Sequence, residues 1–139
     1  MVILEKFKST YQQLNSTNID SIGELYANEI IFTDPFHRVE GLPELKQYFA
    51  NQYQNIDTVE FSFGEAIYQG ARFFVEWEMN LKHPRLNGNQ PFCVPGCTLF
   101  RVNQDNQIIF HRDYFDAGTL LYERLPIIGG LVNWVKRKF

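Results

Sequence analysis

The 139-residue chain is poor in sulfur, with two cysteines and two methionines, and poor in uninterrupted apolar sequence. No window approaches the roughly 20 apolar residues of a membrane-spanning helix. The apolar run Met1-Val-Ile-Leu meets Glu5 and Lys6 at once, too short for the core of a signal peptide, so the expectation is a cytoplasmic protein. Cys93 and Cys97 stand in Cys-Val-Pro-Gly-Cys. A lone pair falls short of the four ligands of a structural zinc site. In an extended segment residues four apart point the same way but lie too far apart to bridge, and two buried thiols are expected. Charge is nearly balanced, 13 Lys and Arg against 16 Asp and Glu, which gives no overall pull toward nucleic acid. There is no glycine-rich phosphate loop, no metal-ligand pattern and no internal repeat, so no cofactor and no metal is implied.

What the chain has in quantity is aromatic residues, 16% of the sequence, with 13 Phe and 7 Tyr. A chain of this length forms one domain with a real core. Aromatics at this density either wrap an apolar cavity or fill the core.

Period three-four opens the chain. Ile3, Leu4, Phe7, Tyr11 and Leu14 mark one face of a helix over residues 2–15. Asn15-Ser16-Thr17-Asn18 breaks it, and Asn18 is a candidate N-cap for a second helix over Ile19–Ala27. Ile30-Ile31-Phe32 reads as a short strand running into Thr33-Asp34-Pro35-Phe36-His37, where Pro35 holds Asp34 extended. Gly41-Leu42-Pro43 is a turn, and Pro43 suits the start of a third helix to Gln54.

After Asp57 the period becomes two. Val59, Phe61 and Phe63 alternate with polar residues, Tyr68-Gln69-Gly70-Ala71 is a hairpin turn, and Arg72–Lys82 is the clearest strand. There Phe73, Val75, Trp77, Met79 and Leu81 share one face. His83–Gln90 is a polar loop. Phe92–Val102 is a further strand in which Pro95 and Gly96 suggest a bulge or an edge. Helices followed by a run of antiparallel strands give an α+β fold.

The segment Gln107–Asp116 carries the chemistry. It reads as a strand, yet holds His111, Arg112, Asp113 and Asp116 among β-branched and aromatic residues. Buried strands hold that many ionisable groups only when the groups are paired or functional. Alternation puts Ile109, His111, Asp113 and Phe115 on one face. Two readings stand: a structural His–Asp pair, or the polar wall of a pocket. Asp34, extended by Pro35 between Phe32 and Phe36, is a second candidate, as a proton-transferring carboxylate in a partly apolar pocket or as a turn residue. The candidate catalytic residues are therefore Asp34, His111 and Asp113, with His37, Phe36, Trp77, Met79 and Phe115 as candidate pocket residues.

The helix ending in Leu14-Asn15, the second helix, the motif Phe32-Thr33-Asp34-Pro35, Gly41 before the third helix, and Tyr114-Phe115-Asp116 closing the last strand carry a resemblance. Over about residues 3–120 the chain resembles the SnoaL-like polyketide cyclases of the nuclear transport factor 2-like superfamily, which also holds ketosteroid isomerase. The resemblance implies a cone-like fold, a curved sheet wrapped round a long helix with a pocket between, and a homodimer. It places Asp34 at the position of the isomerase's general base. The isomerase's oxyanion hole, a tyrosine and a protonated aspartic acid, falls on Thr10 and Thr98, with Tyr11 one residue off and turned by about 100° round the helix. Both oxyanion donors are then missing. The cyclases carry acid–base residues on the last strands, the region of His111 and Asp113. The epoxide hydrolases of the superfamily need an Asp–Arg–Asp arrangement, and the Trp77 strand offers no Arg-x-Asp. The implied function is an isomerase, cyclase or hydratase acting on an apolar carbonyl compound, or else a binding module for an apolar ligand.

Residues 1–120 make the resembling domain, and residues 121–139 a C-terminal extension. A short helix is expected over Thr119–Leu125, Pro126 and Gly129-Gly130 break the chain, and Leu131–Phe139 forms a last amphipathic helix. This segment is too apolar to hang free in water. It closes the pocket, packs on a partner subunit, or touches a membrane surface through Trp134 and Lys136-Arg137-Lys138.

Overall fold

The computed structural model describes residues 2–139; Met1, first residue of the N-terminal apolar run, lies outside them. Helix α1 (Val2–Gln13) buries Ile3, Leu4 and Phe7, the stripe its spacing requires. It stops before Asn15, whose side chain accepts from the Thr17 N–H at 2.8 Å and whose own N–H is taken by Asn18 Oδ1 at 2.7 Å. Asn18 caps this turn rather than the next helix, to which its side chain makes no capping bond. The expected second helix is a single 3-10 segment, Ile19–Glu24. Strand β1 (Tyr26–Thr33) has already begun at Tyr26. The short apolar run fits either period. Pairing to the sheet decides it.

Strand β2 (Arg38–Glu40) folds back on β1. Gly41, with φ of 90°, takes the left-handed turn into α2 (Leu42–Gln54) with proline in its first turn. Strands β3 (Thr58–Gln69), β4 (Arg72–Lys82), β5 (Phe92–Val102) and β6 (Ile108–Phe115) follow. The sheet order is β2-β1-β6-β5-β4-β3. All neighbours are antiparallel except β1 and β6, which run parallel with Phe32 opposite His111. This curved, unclosed α+β sheet holds α1 and α2 in its hollow. Phe7 of α1 stacks on Phe100 at 4.9 Å, and Phe100 on Phe73 at 4.8 Å, which fixes the helix against the floor of the sheet.

Strand β4 follows the alternation of its sequence, with Phe73, Val75, Trp77 and Leu81 buried. Strand β5 is central in the sheet and pairs with β4 without a register shift from Phe92 to Arg101, so no bulge falls at Pro95 and Gly96, while Phe92–Pro95 is an edge on its other side. Its proline sits just past the last β6 pair, Gly96 with Phe115, so the missing N–H costs no ladder bond on that side. Gly96 serves packing: a Cβ there would lie 2.4 Å from the Trp77 ring. The thiols differ from expectation too. Phe92 and Val94 face inward, so alternation puts Cys93 on the outer face, exposed, and Cys97 is half-buried.

Beyond β6 the chain makes the short helix α3 (Ala117–Leu120), capped by the Asp116 side chain, a 3-10 turn at Tyr122–Arg124, and helix α4 (Ile128–Arg137). The two glycines lie inside α4 rather than breaking it. Gly129 is where the helix meets the Glu123 backbone, with room for no Cβ.

Candidate functional site

Between the helices and the hollow of the sheet lies a cavity of about 490 Å³, of the size that takes a drug-sized ligand. The sheet gives it Phe61, Phe63, Trp77, Met79, Thr98, Asp113 and Phe115; α1 gives Phe7 and Tyr11; α2 gives Tyr48, Phe49 and Tyr53; the β1–β2 turn gives Asp34, Phe36 and His37; and Leu120 and Leu121 close one side. Apart from His111, every residue singled out in the sequence as catalytic or pocket-lining is on this wall.

His111 lies behind the wall, 1% exposed, and acts through its neighbours. Its Nε2 meets Asp113 Oδ1 at 2.7 Å and its Nδ1 meets the Tyr26 hydroxyl at 2.8 Å. Tyr26 in turn touches the Tyr11 hydroxyl at 2.5 Å. On the other side, the Trp77 indole N–H donates to Thr98 Oγ1 at 2.8 Å, and the Thr98 hydroxyl donates to Asp113 Oδ1 at 2.6 Å. The result is one chain of hydrogen bonds, Trp77–Thr98–Asp113–His111–Tyr26–Tyr11. Both Asp113 and Tyr11 line the cavity, so the relay leaves the cavity and returns to it. Asp113 Oδ2 has no hydrogen-bond partner among the described residues.

The donors fix the direction of the chain. Indole N–H only donates, so the Thr98 proton goes to Asp113. The carboxylate oxygen accepts again from His111 Nε2–H. With His111 neutral, Nδ1 accepts from Tyr26 and Tyr26 accepts from Tyr11. With His111 protonated on both nitrogens the outer half reverses: Nδ1–H donates to Tyr26, Tyr26 to Tyr11, and the Tyr11 O–H is released toward the cavity. Burial, first, and then the nearby Tyr26 and Asp113 push the Tyr11 phenol well above its ordinary range. Burial does the same to Tyr26. Both phenols therefore keep their protons and act as donors.

Asp34 does not join this relay. Its Oδ1 accepts the backbone N–H groups of Phe36 and His37, each at 2.8 Å, and Tyr48 donates to its Oδ2. It pins the turn that Pro35 begins, and it orients Tyr48. Burial, then the hydrogen bond from Tyr48 to Asp34, pushes the Tyr48 phenol far up. His37 stands at the rim, with its side chain 59% exposed and Nδ1 3.3 Å from the Tyr48 hydroxyl. The two carboxylates thus share a cavity but no hydrogen-bond partner.

Sequence reasoning missed Tyr11, Tyr26 and Tyr48. Tyr11 follows Phe7 by one helical turn on the apolar face of α1, and that spacing points its hydroxyl inward, although family positions had assigned the place to Thr10. Thr10 instead back-bonds to Lys6 O at 2.7 Å. Tyr26 was hidden inside an expected helix. Thr98, read as a lost oxyanion position, is the residue that holds Asp113.

The family model of the SnoaL-like domain matches residues 7–111. No curated protein matches the chain in sequence. Among solved structures, a protein with a ketosteroid isomerase-like fold from Catenulispora acidiphila DSM 44928, in complex with trimethylamine, is 21% identical with a TM-score of 0.74 over 86% of this chain and 88% of its own. A protein provisionally assigned to the SnoaL-like polyketide cyclases, from Jannaschia sp. CCS1, is 17% identical with a TM-score of 0.69 over 82% of this chain and 85% of its own. TerC, co-crystallised with polyporic acid, is 15% identical with a TM-score of 0.69 over 82% of this chain and 91% of its own. At these identities the likeness is one of fold, the cone of the nuclear transport factor 2-like proteins. The chain belongs to the SnoaL-like domain family.

Proposed function

We propose that this SnoaL-like protein binds an apolar carbonyl compound and catalyses a cofactor-independent proton shift on it, of the isomerase or cyclase kind. The observation that carries the reading is the relay with both ends in one cavity. Asp113 Oδ2 takes the proton from the carbon beside the carbonyl. The Tyr11 O–H donates to the carbonyl oxygen, where negative charge develops. His111 lies between the two, hydrogen-bonded to Asp113 on one side and to Tyr26, the partner of Tyr11, on the other. As charge moves from Asp113 to the enolate oxygen, preset hydrogen-bond donors stand at both ends of the path, so the site needs little reorganisation. Return of the proton from Asp113 to another carbon completes the shift. Asp34 and Tyr48 act at the opposite wall, where the hydrogen bond to Asp34 fixes the Tyr48 ring against the ligand. Trp77, Met79, Phe36 and Phe115 supply the apolar surface, and His37 the rim.

The occupancy of similarly folded proteins by trimethylamine and by polyporic acid supports a small-molecule occupant. The outer sheet face, with Ile67, Phe74 and Tyr114 exposed, is the surface we assign to a homodimer.

The test is exchange of the α-protons of 2-tetralone in D2O, followed by NMR. Wild type is expected to accelerate it. Asp113→Asn and Tyr11→Phe are expected to lower the rate by about 100-fold or more, the usual weight of a positioned acid or base. A wild type no faster than buffer across a panel of apolar ketones, or an Asp113→Asn variant as fast as wild type, would leave a satisfied network around a binding pocket, the non-catalytic alternative.

A further inference from the structure

Helix α4 turns Gly129, Val132 and Asn133 toward the body of the protein. Gly129 is buried against the Glu123 backbone, and Lys136, still half exposed, bonds Glu123 at 3.2 Å. The opposite side carries Ile128, Leu131, Trp134 and Val135, continued by Ile127 and Phe139, all exposed. Residues 128, 131 and 135 stand at helical spacing on one face. A contiguous apolar stripe of this kind marks an interaction surface.

The charge around the stripe says what covers it. In a chain of net charge −3, Lys136 is paired with Glu123 and Arg124 is bonded to Thr119 O and Asn87 Oδ1, which leaves Arg137 and Lys138 as the cations beside the stripe, with no acidic residue in 124–139. A second copy of α4 laid on the stripe would bring the same cations and no counter-charge. An anionic lipid surface brings the opposite charge together with an apolar interior. Lys138 lies over the Trp134 ring at 5.3 Å, an aromatic with one apolar end and one polar end of the kind that seats at the headgroup level. At 10 residues the helix is too short to cross a bilayer and suits lying in its plane.

We propose that α4 anchors the protein on an anionic membrane surface and sets the cavity beside the lipid, so that its occupant is an apolar compound drawn from the bilayer. The anchor is close to the cavity in the chain: Leu120 and Leu121 line it, and Leu125 packs on the cluster of Leu81, Leu86 and Phe92, of which Leu81 and Leu86 line the cavity too. This names the source of the ligand and rests on the pocket reading given above.

The experiment is flotation of the full chain with vesicles of phosphatidylcholine alone and of phosphatidylcholine with phosphatidylserine. Wild type is expected to float with the anionic vesicles only, and less so in high salt. Arg137→Glu with Lys138→Glu is expected to weaken binding at least about 30-fold, at roughly fivefold for each basic side chain lost near the surface. Leu131→Glu with Trp134→Glu is expected to weaken it more than about 100-fold through lost apolar burial. Tyr11→Phe is expected to float as wild type does. The proposal is overturned if wild type stays out of both vesicle fractions, or if the α4 variants float unchanged. It is also overturned if Leu131→Glu instead dissolves an oligomer that vesicles do not affect, which makes the stripe an interface between copies. The two readings fail separately. Lost flotation with intact α-proton exchange removes the anchor alone, and flotation without exchange removes the catalytic reading alone.

Discussion

Two clusters of one tyrosine, one histidine and one aspartate stand at the same cavity, and they differ in order and in depth. In the inner cluster the histidine is central: Tyr26, His111, Asp113. In the rim cluster the tyrosine is central: Tyr48 donates to Asp34 and lies near His37. A phenol has one proton to give, so Tyr48 gives it to Asp34 and can only accept from His37 Nδ1–H, across a long 3.3 Å. An imidazole has two nitrogens, and a buried one passes hydrogen bonds from one side to the other. The same side chains thus make a fixed turn in one place and a reversible relay in the other. Depth reinforces the difference, since water can replace any partner at the rim and none behind the wall.

Removing the two histidines separates the clusters most sharply. His111→Leu strips Asp113 and Tyr26 of their shared partner inside the fold, and is expected to cost about 3–5 kcal/mol, the range for breaking a buried polar network. His37→Ala, at the exposed rim, is expected to stay within about 0.5 kcal/mol. Urea denaturation of the two variants at neutral pH checks both. Equal effects would mean that the inner cluster is as well solvated as the outer.

The wall that holds Asp113 gives the next test. Gly96→Ala drives a Cβ to within 2.4 Å of the Trp77 ring. The indole must then move off Thr98, and the overpacking is expected to cost up to about 3 kcal/mol. Near-UV circular dichroism should report the displaced tryptophan. The α-proton exchange proposed for Asp113 should fall with it, although the residue that changes touches no ligand.

Alkaline pH tests the burial of the relay. The phenols of Tyr11 and Tyr26 are raised in the folded state, chiefly by burial. Below pH ~10 neither state ionises, and these groups leave stability unchanged. Above it the unfolded chain loses phenolic protons that the folded chain keeps, so stability falls as pH rises. The expected slope approaches about 1.4 kcal/mol per pH unit for each phenol. Tyr11→Phe should reduce the slope of the urea midpoint against pH by one phenol's share. A midpoint flat from pH 9 to about 11 would place both hydroxyls in water.

Most of the cone was legible because its elements carry a strong period. Strands β4 and β5 run over the residues their sequence marks, and α1 and α2 differ from expectation only at their ends. The second helix failed because Ile19, Ile22, Leu25 and Tyr26 are too few to separate a helix from a turn entering a strand. The parallel β1–β6 pairing decided the matter, and no local pattern encodes it. The candidate site was half legible for the same reason. Asp34, His111 and Asp113 draw notice as charges among apolar residues, whereas Tyr11 and Tyr26 read as ordinary core aromatics. What joins them to His111 is a contact across 85 residues of sequence.

The smallest expected effect bears on the comparison most directly. Tyr48→Phe and Tyr26→Phe each remove one hydroxyl from one cluster. At the rim, Asp34 keeps its two backbone donors, water can replace the third, and the cost is expected near 1 kcal/mol. In the relay, Tyr26→Phe leaves Tyr11 and Asp113 in the cavity but cuts the path between them. Its stability cost is of similar size, about 1–3 kcal/mol. Stability alone therefore does not tell the clusters apart, but exchange does. If proton shift runs through the relay, Tyr26→Phe slows α-proton exchange by about 10-fold or more while Tyr48→Phe changes it little, with its effect confined to KM. If both variants lose rate equally, Tyr48 is an acid of equal standing and the catalytic axis runs across the cavity from Asp113 to Tyr48, with the buried chain serving only to hold Asp113 in place.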